Sequence, residues 1–292
     1  MNPHSSEVGR LRFGVAGNPP NFWASAYKKD RGLAPVWLRE IGLDALEIQC
    51  TYGVRMPDAR AALFREHSIE HSIALSVHAP YYITLGTNDP QKRANSLRDL
   101  TKAIDLAKEL GSRRVIFHPG SAHGDRPVAL ARAIEALKTL EARTDFGDVE
   151  LFPEVAGKEG GLGSLDDILT ICSEIKAAWP CLDLAHLHAR EGGSLRAQTD
   201  YEGVLSRVEH ALGSQVSKRW HFHMYPVTWG PKGEIAHVPF NASDASQSPD
   251  FRPFVQTLID RNAVATVICE ARDSQDTGAL AMQAYCLDRQ RS

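Results

Sequence analysis

Between Pro180 and His188 the chain reads Pro-Cys-Leu-Asp-Leu-Ala-His-Leu-His, an apolar run that delivers Asp183 and, three residues later, His186. A carboxylate and an imidazole at that spacing, where a short strand gives way to a loop, can converge on neighbouring divalent cations. Alone the pattern is weak, because a capping Asp followed by a solvated His reads the same way. Repetition gives it weight. Apolar runs also end at His78, His118, Glu154, His223 and Glu270. Glu154, Asp183, His223 and Glu270 make a mixed oxygen and nitrogen set suited to one Zn, Mn or Mg ion. His78, His118, His186 and His237 are then surplus. They either bind substrate and move protons or build further metal sites. Any one of them reads equally well as a hydrogen-bonded core histidine, but that reading weakens when all four fall at strand ends or on a long loop.

The elements that must position these side chains alternate along the sequence. Apolar runs at 12–15, 45–49, 74–78, 114–118, 149–154, the stretch 180–188, 220–224 and 265–270 read as strands, separated by segments of helical period. Asp89 with Pro90 opens the clearest helix, which Gly111 ends. Ser164 with Asp167, and Thr199 with Glu202, read as capping boxes, and Ser248-Pro249 as another helix start. Eight strand and helix alternations with short connections predict a closed (β/α)8 TIM barrel, whose C-terminal strand ends carry the site. A doubly wound open sheet is disfavoured, since no Gly-rich phosphate fingerprint follows the first strand. The connection 225–247 is long and polar, and it places Glu234 and His237 where they can fold over the barrel mouth.

A chain of 292 residues can form one such barrel, so a single domain spanning 1–292 is expected, with 1–10 a disordered tail. The apolar fraction of 43%, the charged fraction of 24% and the absence of eighteen unbroken apolar residues exclude a membrane span and predict a water-soluble protein. The polar first ten residues lack the apolar segment of a signal peptide. Five scattered cysteines read as reduced thiols in the cytoplasm. A formal net charge of −3 argues against a broad nucleic-acid-binding surface, although bound cations would make a site locally positive.

With these residues in view, most of the chain resembles the endonuclease IV family of zinc-dependent apurinic/apyrimidinic endonucleases, particularly its archaeal-type members, within the wider group of xylose isomerase-like barrels. The motifs that carry the likeness are His78-Ala79-Pro80-Tyr81-Tyr82-Ile83-Thr84-Leu85-Gly86, Phe117-His118-Pro119-Gly120-Ser121, Glu154-Val155-Ala156-Gly157 with a shifted glycine, Asp183 to His186, His221 to His223, and Gly233 to Pro239. The resemblance implies two or three Zn2+ ions, with Mn2+ or Mg2+ as substitutes. His78 and His118 would hold one, Glu154 would bridge to a second held by Asp183, His223 and Glu270, and His186 with His237 would hold a third. It also implies incision of double-stranded DNA 5′ to abasic sites, in base excision repair, by a monomeric enzyme in which Glu154 positions or deprotonates the attacking water. Tyr81 and Tyr82 would fill the gap beside the missing base; ordinary loop packing is their bland alternative. Two departures stand out. Where bacterial members carry Asp-x-His, this chain has Glu234 three residues before His237. Either His221 or His223 serves as ligand, since two-residue spacing points both to one side of a strand, and His223 is preferred by analogy with related sugar enzymes. The competing expectation is a sugar isomerase or epimerase using Glu154, Asp183, His223 and Glu270 around a single Mn or Mg ion. An inactive binding protein on a degenerate barrel is disfavoured, because no core ligand is missing.

Overall fold

Apolar strand runs alternating with amphipathic stretches produce the element order β1 (Leu11–Ala16), α1 (Pro20–Ala24), α2 (Ala34–Ile41), β2 (Ala45–Gln49), α3 (Asp58–Glu70), β3 (Ala74–His78), α4 (Pro90–Leu110), β4 (Arg114–Phe117), α5 (Arg126–Arg143), β5 (Glu150–Pro153) and α6 (Leu165–Glu174). There follow β6 (Cys181–Asp183), α7 (Leu184–Arg190), α8 (Gln198–Leu212), β7 (Trp220–His223), β8 (Val227–Gly230), β9 (Gly233–His237), α9 (Phe251–Asp260), β10 (Ala265–Cys269) and α10 (Gln275–Arg291). The computed structural model describes residues 10–122, 124–242 and 248–291. The expected tail at 1–10 therefore lies outside the described residues except for Arg10, as do positions 243–247 of the long connection.

All strands except β8 and β9 join one parallel sheet in the order β5, β4, β3, β2, β1, β10, β7, β6. Its two edges meet. The Val155 N–H donates to the Cys181 carbonyl at 3.1 Å, the Leu151 N–H to Ala177 at 2.8 Å and the Trp179 N–H to Leu151 at 2.8 Å, and Glu154 bridges Cys181 in parallel. The sheet is thus a closed (β/α)8 barrel, with a sparsely bonded seam between β5 and β6.

Local chemistry explains the helix boundaries. The Asp89 carboxylate accepts the Gln91 and Lys92 N–H groups, Pro90 occupies the first turn, and Gly111 at φ 68° ends α4. Ser164 and Asp167 cap α6 reciprocally. Two starts differ from expectation. Helix α8 begins one residue earlier than Thr199, because it is Asp200, not Glu202, that accepts the Arg196 and Ala197 N–H groups at 2.8 Å each. Helix α9 starts after Asp250, which accepts the Arg252 N–H. The Ser248 hydroxyl is spent on Val227, accepting its N–H at 2.8 Å and donating to its carbonyl at 3.1 Å.

Most of the core lies between sheet and helices, where Phe13, Val15, Leu46, Val77, Leu100, Ile104, Leu137 and Ile168 are buried; each such side chain contributes about 1.5–3 kcal/mol. Inside the barrel the apolar filling is small. Ala16, Ala45 and Ile268 form one patch, and Ile116, Phe152 and Cys181 another. The remaining interior is polar, with Glu47, Ser76, His221 and His223 all buried.

Candidate metal centre

The C-terminal ends of the strands deliver the expected side chains to one place. His78 ends β3, His118 follows β4, Glu154 follows β5, Asp183 ends β6, His223 ends β7 and Glu270 follows β10. His186 departs from the expected strand-to-loop position: it sits in the first turn of α7, where the Asp183 carboxylate caps the helix by accepting its N–H at 2.7 Å. The connection expected to be a loop contains the antiparallel hairpin of β8 and β9, with a bulge between Thr228 and Trp229. Two glycines let it press on the mouth. A Cβ on Gly233, at φ 89°, would stand 2.0 Å from the Gly157 carbonyl oxygen, and one on Gly157 would stand 2.6 Å from Glu234 Cβ. The Glu234 N–H then donates to the Gly157 carbonyl at 3.1 Å.

Three groups of donor atoms result, each spanning less than 4.8 Å: His78, His118 and Glu154; Glu154, Asp183, His223 and Glu270; and His186, Glu234 and His237. Glu154, fully buried, belongs to two of them. Its Oε2 lies 2.9 Å from His78 Nε2 and 3.3 Å from His118 Nε2, and its Oε1 lies 3.1 Å from His223 Nδ1. In the third group Glu234 Oε2 is 3.4 Å from His186 Nε2, and Oε1 is 3.7 Å from His237 Nε2. Glu234, three residues before His237, thus reaches both imidazoles.

The supporting hydrogen bonds fit a metal site. His78 Nδ1 donates to the Ala79 carbonyl at 2.9 Å, His186 Nδ1 to Val155 at 3.0 Å and His237 Nδ1 to Glu270 at 3.0 Å, so all three Nε2 atoms face the donor groups. Such outer hydrogen bonds fix the tautomer of a ligating imidazole. His118 Nδ1 is buried, with no hydrogen-bond partner among the described residues. Tyr225, stacked on His237 at 4.2 Å, donates its hydroxyl to Asp183 at 2.7 Å.

Buried together, these carboxylates and imidazoles shift one another. Burial opposes the charge on Glu154, yet His118, His223 and His186 hold its carboxyl well below the usual range. Burial also disfavours a charged His78, but Glu154 overrides it and raises the imidazole to about 9. Burial, with His78 and His186 nearby, instead depresses His118 to about 4. For Glu270 burial wins, reinforced by Glu154, and its carboxyl is raised.

His221 and His223 separate cleanly. The Arg114 guanidinium, which can only donate, lies 3.3 Å from His221 Nδ1, so Nε2 carries the proton toward Glu47 at 2.9 Å. Burial depresses this imidazole to about 4 in spite of Glu47. Both nitrogens are occupied. Cys181, which lies beside the two histidines, is pushed up by burial and remains a thiol. His223 turns Nε2 to Glu47 Oε1 at 3.2 Å and leaves Nδ1 facing Glu154, Asp183 and Glu270.

Three contributors escaped the reading of the sequence. Glu47 is fully buried and holds both His221 and His223. Gln49 donates to Glu47 and Glu270 at 3.2 Å each. Tyr225 orients Asp183. The available signal was Glu47 itself, an acidic residue inside the apolar run Ala45-Leu46-Glu47-Ile48. At the mouth, Tyr81 and Tyr82 are 59% and 44% exposed, in edge contact with each other, and Tyr81 also meets Tyr52. Arg31, Arg55 and Arg60 line a neighbouring cavity that reaches Gln49.

A closed parallel barrel with carboxylates and imidazoles gathered at its C-terminal strand ends defines a class of barrel whose mouth carries groups that could hold metal ions. Within that class the chain belongs to the xylose isomerase-like TIM barrel family, whose profile matches residues 35–287. It is 30% identical over 283 residues to an uncharacterized protein of Methanocaldococcus jannaschii, covering 94% of this chain and 97% of the other. It is 31% identical over 180 residues to a "Probable endonuclease 4" of Mycoplasma pneumoniae, covering 60% of this chain and 61% of that protein. Among solved structures, endonuclease IV of Thermus thermophilus superposes with a TM-score of 0.66 at 17% identity, covering 96% of this chain and 99% of that one. A D-tagatose 3-epimerase-like protein superposes at 0.68 and 18%, covering 96% and 97%. At these identities the superpositions establish the shared fold.

Proposed function

We propose that the protein is a multinuclear metal-dependent phosphodiesterase that cleaves DNA 5′ to abasic sites. The observation that carries this reading is the sharing of Glu154 between two donor groups, with His186, Glu234 and His237 forming a third beside them. A single-metal isomerase needs only Glu154, Asp183, His223 and Glu270, and has no use for five further donors held within a few ångströms. His78, His118 and Glu154 would hold one zinc, Glu154, Asp183, His223 and Glu270 a second, and His186, Glu234 and His237 a third. Divalent ions bound there supply Lewis acidity toward a phosphoryl oxygen and lower the pKa of water; Mn2+ or Mg2+ would serve the same purpose. Glu154 would position or deprotonate the attacking water. Tyr225 and Gln49 keep Asp183 and Glu270 aimed, and the buried Glu47 keeps His223 in the required tautomer. The exposed rings of Tyr81 and Tyr82 fit the gap that an absent base leaves in the stack, and Arg31, Arg55 and Arg60 are placed to meet flanking phosphates.

The epimerase-like neighbours support a second reading, in which the four-ligand group binds one ion and a carboxylate moves a proton on a sugar. One assay separates the two. Zinc-loaded protein is incubated with a labelled duplex containing one abasic analogue, beside a panel of ketoses and aldoses. Incision immediately 5′ to the analogue, with intact duplex spared, is expected. Interconversion of a sugar with the duplex left whole would replace the nuclease reading.

A further inference from the structure

The end of the barrel opposite the metal centre carries its own concentration of charge. The N-terminal ends of β1, β3, β4, β7 and β10 surround a cavity of about 490 Å3, a size suited to a small ligand. Arg10, Arg12, Arg65, Arg113, Arg114 and Lys218 line it, and among the described residues no Asp or Glu does. Asp44, behind the wall, lies 2.9 Å from Arg10 and 3.8 Å from Arg12. Arg65, Arg113 and Lys218 form no ion pair among the described residues. The floor is polar and closed. Ser76, Thr266 and His221 are 2%, 6% and 0% exposed, and Arg114 reaches in over the Phe152 ring to donate to Thr266 Oγ1 at 2.7 Å.

Six cations around one concavity, with Asp44 offsetting only one charge, repel one another, in a chain whose formal net charge is −3. Asp44 accounts for Arg10 and Arg12, and His221 with Thr266 for Arg114, but neither the fold nor the candidate metal centre calls for Arg65, Arg113 and Lys218 beside them. An anion seated among them turns the repulsion into attraction, and a guanidinium fork matches the oxygen geometry of phosphate. We infer that this cavity binds a small phosphorylated anion carrying at least two negative charges. A duplex backbone would meet the exposed Arg10, Arg65, Arg113 and Lys218, whereas a compact anion reaches the half-buried Arg12 and Arg114 as well. The inference is independent of the nuclease reading.

Calorimetric titration of the full-length protein with inorganic pyrophosphate, with its metals in place and again after chelation, tests it. One site per chain in both forms is expected, weakening as salt rises from 50 to 200 mM. Arg65 and Lys218 are exposed, so the double variant Arg65→Gln/Lys218→Gln should fold. It should bind pyrophosphate at least tenfold more weakly in both forms, and its melting temperature without anion should equal or exceed that of the parent. A parallel titration with ADP identifies the source: binding at least as tight as pyrophosphate points to a nucleotide, weaker binding to an inorganic anion, and either agrees with the proposal. Unchanged affinity in the double variant would overturn it, as would binding that vanishes on chelation, which would put the anion at the metal centre. Rim-dependent binding of intact duplex with no response to pyrophosphate would overturn it in favour of a nucleic-acid surface.

Discussion

Glu154 concentrates the chemistry, since one buried carboxylate faces His78, His118 and His223 at 2.9, 3.3 and 3.1 Å. Glu154→Gln keeps its volume and removes its charge. The fold should survive, with unchanged far-UV circular dichroism, while incision of the abasic duplex falls by roughly three powers of ten or more, on the scale of losing an activated nucleophile. Glu47 makes a subtler case because it never reaches the mouth. Glu47→Gln should weaken zinc binding by about 10–100-fold, as loss of an outer partner of a ligating histidine does, and a chromophoric chelator in competition measures it. His78, His118, Glu154, His223 and Glu270 were legible as candidates because each closes an apolar run. Glu47 and Tyr225 were not, because a hydrogen bond to a ligand leaves no spacing to read.

Among the elements, the β8–β9 hairpin decides whether the third donor group exists. Gly233 lies at φ 89° with the Gly157 carbonyl where its Cβ would go, so Gly233→Ala adds backbone strain of about 1–3 kcal/mol to a clash. The variant should lose one metal per chain and keep the others, by elemental analysis after gel filtration. An unchanged metal count would show that the hairpin does not set the third group. The sequence marked this segment only as a long connection, since Glu234 and His237 come together through a bulge and two glycines that bring distant segments into contact. Helix starts were legible to within a residue or two. The misses at Thr199 and Ser248 arose where several Ser, Thr and Asp residues compete for one cap, and the neighbouring segments chose among them. His186 was misplaced for a related reason: an Asp that ends a strand can equally cap a helix.

For the molecule as a whole, metal uptake and proton release should be coupled. His78 is raised to about 9 without metal, so at neutral pH its Nε2 holds a proton that a cation must displace. The apparent zinc affinity should therefore rise with pH from 6 to 8 and flatten above about 9, by on the order of tenfold per unit for each proton displaced. Affinity that falls or stays level over that range would contradict the assignment of His78. The closed barrel was legible from alternation alone, but the place of its weakest seam was not, since nothing in the sequence fixes which two strands share the fewest backbone bonds. That seam falls between β5 and β6, where few backbone bonds cross, and Glu154 and Asp183 stand on its two sides. A cation held between them joins the ends of the sheet as a buckle joins a belt. Metal loading should then slow hydrogen exchange at the Leu151, Val155 and Trp179 amides more than at strand pairs far from the seam, so that the ion would set how firmly the ring is shut.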